Sequence, residues 1–220
     1  MIEPDFPDLS PFQEEMAFFP PLEQQADRFL AVLSWLTRIC NAVGCEPPIL
    51  VGCAAVEIYT EVNSSTGNLD LIASDPEKIG AILLRLGFHR STDQRYWYNE
   101  THNLLLEFPA TGLYPGEKTV SIRANGVNCR VISPEDLIID RLETFEAVGD
   151  GTDLVYSYLC YSLLNEYLDM ERLEENVRRR DTVESYKFIK RLLRETADGN
   201  LSVKDQAAAI SMECRRRIGE

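Results

Sequence analysis

The sequence predicts an α+β fold, in which a mixed β-sheet is flanked by helices and followed by a C-terminal helical bundle. The first supporting observation is the order of patterns in residues 49–75: an apolar run, a glycine turn, a helix-like segment and a second strand. The second is a series of short β-rich runs between residues 96 and 131, separated by turn residues. The third is helical spacing of apolar residues in four later segments, 154–168, 171–180, 182–196 and 203–218.

Three regions are predicted along the chain. Residues 1–21 form an extended acidic arm, since its five prolines prevent a continuous helix: Pro4, Pro7, Pro11, Pro20 and Pro21. Residues 22–148 form the sheet-containing domain, and residues 149–220 form a helical domain. The aromatic residues of the arm either dock it on a surface groove or leave it as a partly ordered tail.

Several boundary signals place the elements. Gly44 ends a helix that runs from Glu23 to Val43. Asp75-Pro76 and Ser133-Pro134 each combine a capping side chain with proline in the first helical turn. Asn125-Gly126 is typical of a two-residue hairpin turn between the last two strands.

The charge distribution limits the kinds of partner. The net charge of −14 argues against a protein that coats DNA or binds an anionic membrane, because phosphate affinity needs clustered Lys and Arg. Residues from Met170 onward carry 12 basic and 10 acidic side chains, so the preceding part carries 10 and 26. The basic tail is either a face for RNA or an ordinary solvated helix surface.

Cysteine and histidine usage indicates a reduced, zinc-free protein. The six cysteines form no C-x-x-C pair, and only two histidines are present, so we expect neither a disulfide framework nor a zinc site. The N-terminus is acidic and lacks the apolar segment of a signal peptide, and no apolar run approaches membrane-spanning length. We therefore expect a cytoplasmic location without a membrane partner.

Polar residues with metal-binding chemistry follow the second predicted strand. Because strand side chains alternate, Asn68 and Asp70 should share one face of the sheet. Glu107 interrupts the apolar run Leu-Leu-Leu-Glu-Phe, where a buried carboxylate needs a cation or a hydrogen-bond donor. It is either a third site acid or a solvent-exposed edge residue. Gly52-Cys53 begins a helix, which either binds phosphate at its N-terminus or is a core helix initiated by glycine.

These motifs resemble the nucleotidyltransferase superfamily, which has the polymerase-beta-like fold, over residues 49–145. More narrowly, they resemble small bacterial and archaeal proteins related to the abortive-infection type IV toxins. That family's pattern is a strand ending in Gly-Gly or Gly-Ser, a helix, a strand with Asp-x-Asp and a later carboxylate. Here the corresponding segments are Gly52-Cys53, Asn68-Leu69-Asp70 and Glu107. The Asp-x-Asp motif is therefore degenerate, with an amide in its first place.

The resemblance implies transfer of a nucleotide from an NTP to an RNA or protein acceptor, assisted by Mg²⁺. Asp70, Asn68 and Glu107 would be the catalytic and metal-binding residues, with Asn68 a poorer ligand than a carboxylate. The candidate nucleotide-binding residues are Gly52, Cys53, Thr66, Lys118, Arg123 and Arg141. Arg141 has an alternative interpretation, an ordinary salt bridge with Asp140.

Two other functions stay open at this point. The fold could be a catalytically inactive binding module that acts as a partner in a toxin–antitoxin or defence complex, as the resemblance suggests. The acidic part of the chain before Met170 and the basic part after it would suit docking on a protein partner or self-association. The negative charge of the residues before Met170 also suggests a third function, a mimic of nucleic acid that blocks a DNA-binding protein.

Overall fold

The computed structural model describes residues 6–62, 67–92 and 94–196, together with the isolated positions 205, 208, 212 and 215. The chain divides into two compact units, one ending at Ile132 and the other beginning at Ser133. In the described residues the predicted α+β class is confirmed: a seven-stranded mixed sheet is combined with helices. Of the predicted helix at 203–218 only these four isolated positions are described, and the candidate Thr66 lies outside the described residues.

In the first unit, helices precede and separate the first strands, and the last five strands follow one another without a helix between them. Its helices are α1 (Ser10–Glu15), α2 (Gln25–Val43), α3 (Gly52–Thr60) and α4 (Pro76–Arg85), with a 3-10 helix at Met16–Phe18. Its strands are β1 (Ile49–Val51), β2 (Leu69–Ile72), β3 (His89–Arg90), β4 (Tyr96–Asn99), β5 (Leu104–Ala110), β6 (Thr119–Ala124) and β7 (Val127–Ile132).

The strands of this unit form one sheet in the order β3-β4-β5-β2-β1-β7-β6. The β2 strand is antiparallel to β1 and parallel to β5, while β7 is parallel to β1 and antiparallel to β6. The carboxyl end of β1 therefore meets the amino end of β2 at one edge of the sheet. The turn from β1 into α3 lies at that edge.

The signals at the element boundaries act as predicted. The side chain of Asp75 accepts a hydrogen bond from the backbone N–H of Lys78 at 3.0 Å and caps α4. Gly44 adopts a left-handed conformation and ends α2. Asn125 and Gly126 both have positive φ in the turn between β6 and β7, as a two-residue hairpin requires.

The N-terminal segment is tied to α2. The Trp35 ring is fully buried and lies edge-on to Phe19, with ring centroids 5.7 Å apart. Its indole N–H donates to the backbone oxygen of Phe12 at 2.8 Å. Within the segment predicted as an extended arm, Ser10–Glu15 are helical and Met16 is buried. Proline in the first turn of α1 explains the difference, because it starts a short helix as readily as it prevents a long one.

The second unit consists of α5 (Pro134–Val148), α6 (Gly151–Leu164), α7 (Met170–Arg179) and α8 (Val183–Thr196). The division after Ile132 places α5 with the later helices, whereas the sequence analysis grouped residues 22–148. Polar side chains connect α5 to α7: Arg172 donates to Ser133 at 2.9 Å and to Glu135 at 3.0 Å. Among the described helices, none has both the length and the apolar character that a bilayer span requires.

Candidate functional site

The two predicted site acids lie side by side on neighbouring strands. Asp70 on β2 and Glu107 on β5 are direct partners in the register of a parallel strand pair. Neighbours in register project from the same face of a sheet, so both carboxylates emerge together. Leu69 and Leu71 are buried on the opposite face. The family resemblance grouped these acids although 36 positions lie between them in the sequence, and the structure brings them into one cluster.

The turn from β1 into α3 is pressed against Asp70. A Cβ atom added at Gly52 would lie 2.1 Å from Oδ2 of Asp70, much closer than atoms in van der Waals contact. Gly52 also has φ +68°, a conformation that L side chains rarely adopt. Both facts require glycine at this position. The N-terminus of α3, which carries the positive end of the helix dipole, therefore begins beside the carboxylates.

Asn68 connects the two carboxylates. Its amide nitrogen donates to Oδ1 of Asp70 at 2.7 Å and to Oε2 of Glu107 at 3.2 Å. The sequence analysis expected the carbonyl oxygen of Asn68 to face a metal. In the structure the nitrogen of the amide faces the acids instead, since a donor between two anions is favourable and an acceptor there is not.

Arg95 completes the cluster and was not among the sequence candidates. Its Nε donates to Oε1 of Glu107, and its guanidinium lies 5.4 Å from the centroid of the Tyr96 ring. The Arg95 side chain is 61% exposed, while that of Glu107 is 6% exposed. The bond to Glu107 raises the pKa of Arg95 further above its usual value, and Asp70 adds a smaller effect of the same sign. A buried carboxylate thus has the charged donor that its burial demands.

The other candidates of the first unit lie at different distances from this cluster. Cys53 follows Gly52 directly at the start of α3 and is partly exposed. Lys118 precedes β6 at the same edge of the sheet, but β6 lies three strands from β2, about 14 Å away. Arg123 lies four residues farther along β6, so the structure places it toward the opposite edge, about 13 Å from Thr119.

Arg141 lies in the second unit, where its guanidinium has acidic partners. It donates to Asp140 at 2.6 Å and to Asp153 at 3.0 Å. Burial raises the pKa of Asp153, and the charge of Arg141 opposes that effect. This is the salt-bridge interpretation that the sequence analysis left open beside phosphate binding.

The donor set fits one divalent cation. A single atom, the amide nitrogen of Asn68, already contacts an oxygen of each carboxylate, so one small positive group can bridge Asp70 and Glu107. Mg²⁺ prefers such oxygen ligands at about 2.1 Å and completes its octahedron with water and phosphate oxygens. Within the described part of the chain, no group of three or more His, Cys, Asp or Glu side chains is arranged to hold a metal.

Comparison with known proteins identifies the family. The sequence profile of DUF6036, described as a nucleotidyltransferase of unknown function, matches residues 29–195. The chain belongs to this family. Membership supports the superfamily resemblance, while the narrower likeness to abortive-infection type IV toxins stays a prediction.

A solved structure supports the same fold for this DUF6036 member. The crystal structure of an antigenic nucleotidyltransferase-like protein from Paracoccidioides brasiliensis superposes with a TM-score of 0.50 and 15% sequence identity. The similarity covers 73% of this chain and 93% of that protein. At this identity the likeness concerns the fold. No protein with a curated description matches the sequence.

Proposed function

We propose that this protein binds a nucleoside triphosphate with one Mg²⁺ ion beside Gly52 and transfers its nucleotidyl group to a hydroxyl of RNA or protein. The observation that carries the proposal is the contact between Gly52 and Asp70, with Glu107 in register beside them. It joins a helix N-terminus, which favours phosphate, to two carboxylates, which favour a cation. Family membership and fold are consistent with this chemistry.

The residues of the chain have separate tasks in this proposal. The backbone N–H groups at the start of α3 bind phosphate oxygens, and Gly52 lets the backbone approach without a side chain in between. Asp70 and Glu107 hold the cation, and Asn68 can add its carbonyl oxygen once its amide turns over. The bound cation neutralises charge on the phosphates. The acceptor oxygen bonds to the α-phosphorus, pyrophosphate leaves, and the acceptor proton passes to water.

Labelled nucleotides test the proposal. Binding of each NTP is measured by equilibrium dialysis with Mg²⁺, and α-labelled NTPs are then incubated with total RNA and with protein acceptors. We expect binding and transfer for at least one NTP, and loss of both in Asp70→Asn. Asp75→Asn is the matched control, because Asp75 only caps α4 and asparagine caps a helix equally well. Absence of binding at millimolar NTP would remove the proposal.

A second candidate function is a binding module without catalysis. The observation that favours it is that both acids already have hydrogen-bond donors within the chain, Asn68 and Arg95. In this case the nucleotidyltransferase fold presents a surface to a protein partner. Asn68→Asp separates the two candidates: a variant that gains transfer activity indicates a weakened enzyme, whereas inert wild-type and variant proteins favour the module.

A further inference from the structure

We propose that Asn68 and Arg95 act as built-in substitutes for a metal ion, so that the folded protein does not need a divalent cation and binds one only by displacing them. The inference rests on the proposed function in taking Asp70 and Glu107 as the cation ligands. It goes further in how the site is regulated: side chains of the chain itself compete with a cation for the two carboxylates.

Glu107 is buried and therefore needs partners for its carboxylate. The residue is 4% exposed, and an ionised carboxylate at such a position is strongly unfavourable without positive partners. Each of its oxygens accepts a hydrogen bond: Oε1 from the charged guanidinium of Arg95 and Oε2 from the neutral amide of Asn68. In a site with three carboxylates, a metal ion would be the partner of the buried acid. Here a guanidinium and an amide are its partners.

The side-chain amide of Asn68 can present either a donor, its nitrogen, or an acceptor, its oxygen. Its nitrogen is now directed at both acids, at 2.7 Å and 3.2 Å. A cation between the acids would meet this N–H group unfavourably, so the amide would have to turn and present its oxygen. An aspartate at position 68 could only present oxygens. It would repel Asp70 and Glu107 until a cation arrived.

The formal charge of the cluster can be changed one unit at a time by substitution. Asp70, Glu107 and Arg95 together carry one negative charge, because Asn68 is neutral. Asn68→Asp and Arg95→Gln each make this cluster one unit more negative, and the double variant makes it two units more negative. Cation affinity should rise along this series, and stability without a cation should fall, since both depend on the same uncompensated charge.

The exposure of Arg95 makes its displacement feasible. Most of its side chain is in solvent, so the guanidinium can leave Glu107 without opening the core. Guanidinium groups also bind phosphate oxygens in a bidentate manner. An incoming cation–nucleotide complex therefore offers Arg95 a new anionic partner at the moment when Glu107 takes the cation. Free cation offers no such exchange and should bind weakly to the wild-type protein.

Cation binding and thermal unfolding test the inference in four proteins: the wild type, Asn68→Asp, Arg95→Gln and the double variant. Mn²⁺ affinity is measured by titration calorimetry, and unfolding is followed by tryptophan fluorescence in chelator and in excess Mn²⁺. We expect that chelator does not change the unfolding midpoint of the wild type. The midpoints of Asn68→Asp, Arg95→Gln and the double variant should fall in chelator and recover in Mn²⁺. Affinity should increase about tenfold for each added negative charge.

Arg130→Gln is the control, since Arg130 also pairs with a glutamate, Glu46, on the surface of the first unit. It should behave as the wild type. Equal midpoints of Asn68→Asp in chelator and Mn²⁺, with unchanged Mn²⁺ affinity, would overturn the inference. If Asn68→Asp does not fold in either buffer, Arg95→Gln decides by the same criteria. A charge-dependent affinity without nucleotide transfer would refute the proposed function alone.

Discussion

Replacement of Gly52 by alanine tests the contact on which the site is built. The new Cβ would lie 2.1 Å from Oδ2, 2.9 Å from Cγ and 3.0 Å from Cβ of Asp70, so either the carboxylate or the start of α3 must move. Alanine in a left-handed conformation costs about 1–2 kcal/mol. Overpacking of a closely fitted position adds about 1–3 kcal/mol. We therefore expect Gly52→Ala to lower the free energy of unfolding by about 2–5 kcal/mol.

Gly44→Ala provides the matched control. Gly44 has φ +66°, nearly the same as the +68° of Gly52, but an added Cβ there would have no atom within 4 Å. Its replacement should show only the conformational cost of about 1–2 kcal/mol. Urea unfolding followed by tryptophan fluorescence measures both variants in the relevant unit, because both tryptophans, Trp35 and Trp97, lie in the first unit.

A double-mutant cycle isolates the steric part of this cost. In an Asp70→Ala background the Oδ2 and Cγ contacts are absent, so the cost of Gly52→Ala should fall to within about 1 kcal/mol of the Gly44→Ala value. Equal costs of Gly52→Ala and Gly44→Ala in the wild-type background would refute the reasoning. So would a cost at Gly52 that does not change when Asp70 is shortened.

Three further predictions concern individual side chains. In a solvent-exposed helix, replacement of glycine by alanine would be stabilising. Gly80→Ala should instead lower the free energy of unfolding in urea, because the added Cβ would lie 2.6 Å from the ring of Trp97. Asp75→Ala should lower the free energy of unfolding by about 1 kcal/mol through loss of the α4 cap, with Asp75→Asn near wild type. Burial raises the pKa of Cys160 to about 12, so at pH 8 about one thiol in ten thousand is ionised. Alkylation of native Cys160 should be undetectable by peptide mass spectrometry at pH 8 and complete in concentrated urea. Rapid native alkylation of Cys160 would contradict this.

Local signals in the sequence predicted much of the first unit. The glycine after β1, the alternation around Asp70 and the carboxylate inside an apolar run are each local patterns. Each pattern marked a candidate residue, the family resemblance grouped Asp70 and Glu107 with Gly52, and the sheet register brings the two acids together beside that glycine. Capping at Asp75 and the Asn125-Gly126 hairpin were predictable for the same reason, since short-range geometry determines them.

Features that depend on strand order could not be predicted in this way. Arg95 reaches Glu107 because β4 pairs with β5 and places Tyr96 opposite Glu107, a pairing that no local pattern specifies. Arg123 was a nucleotide-binding candidate by charge alone, yet its register with Asn128 places it toward the far edge of the sheet. The orientation of the Asn68 amide was also hidden, because it follows from the positions of two acids that meet only in three dimensions.

The central claim is that a nucleotide binds where α3 begins, and alkylation of Cys53 tests it most directly. Cys53 and Cys45 are both partly exposed, but Cys45 lies before β1, at the opposite end of that strand. Their alkylation rates are measured by peptide mass spectrometry with and without Mg²⁺ and NTP. We predict that the complex slows alkylation of Cys53 several-fold, leaves Cys45 unchanged, and has no effect in Asp70→Asn. An unchanged rate at Cys53 with millimolar NTP, or equal slowing at both cysteines, would contradict the claim.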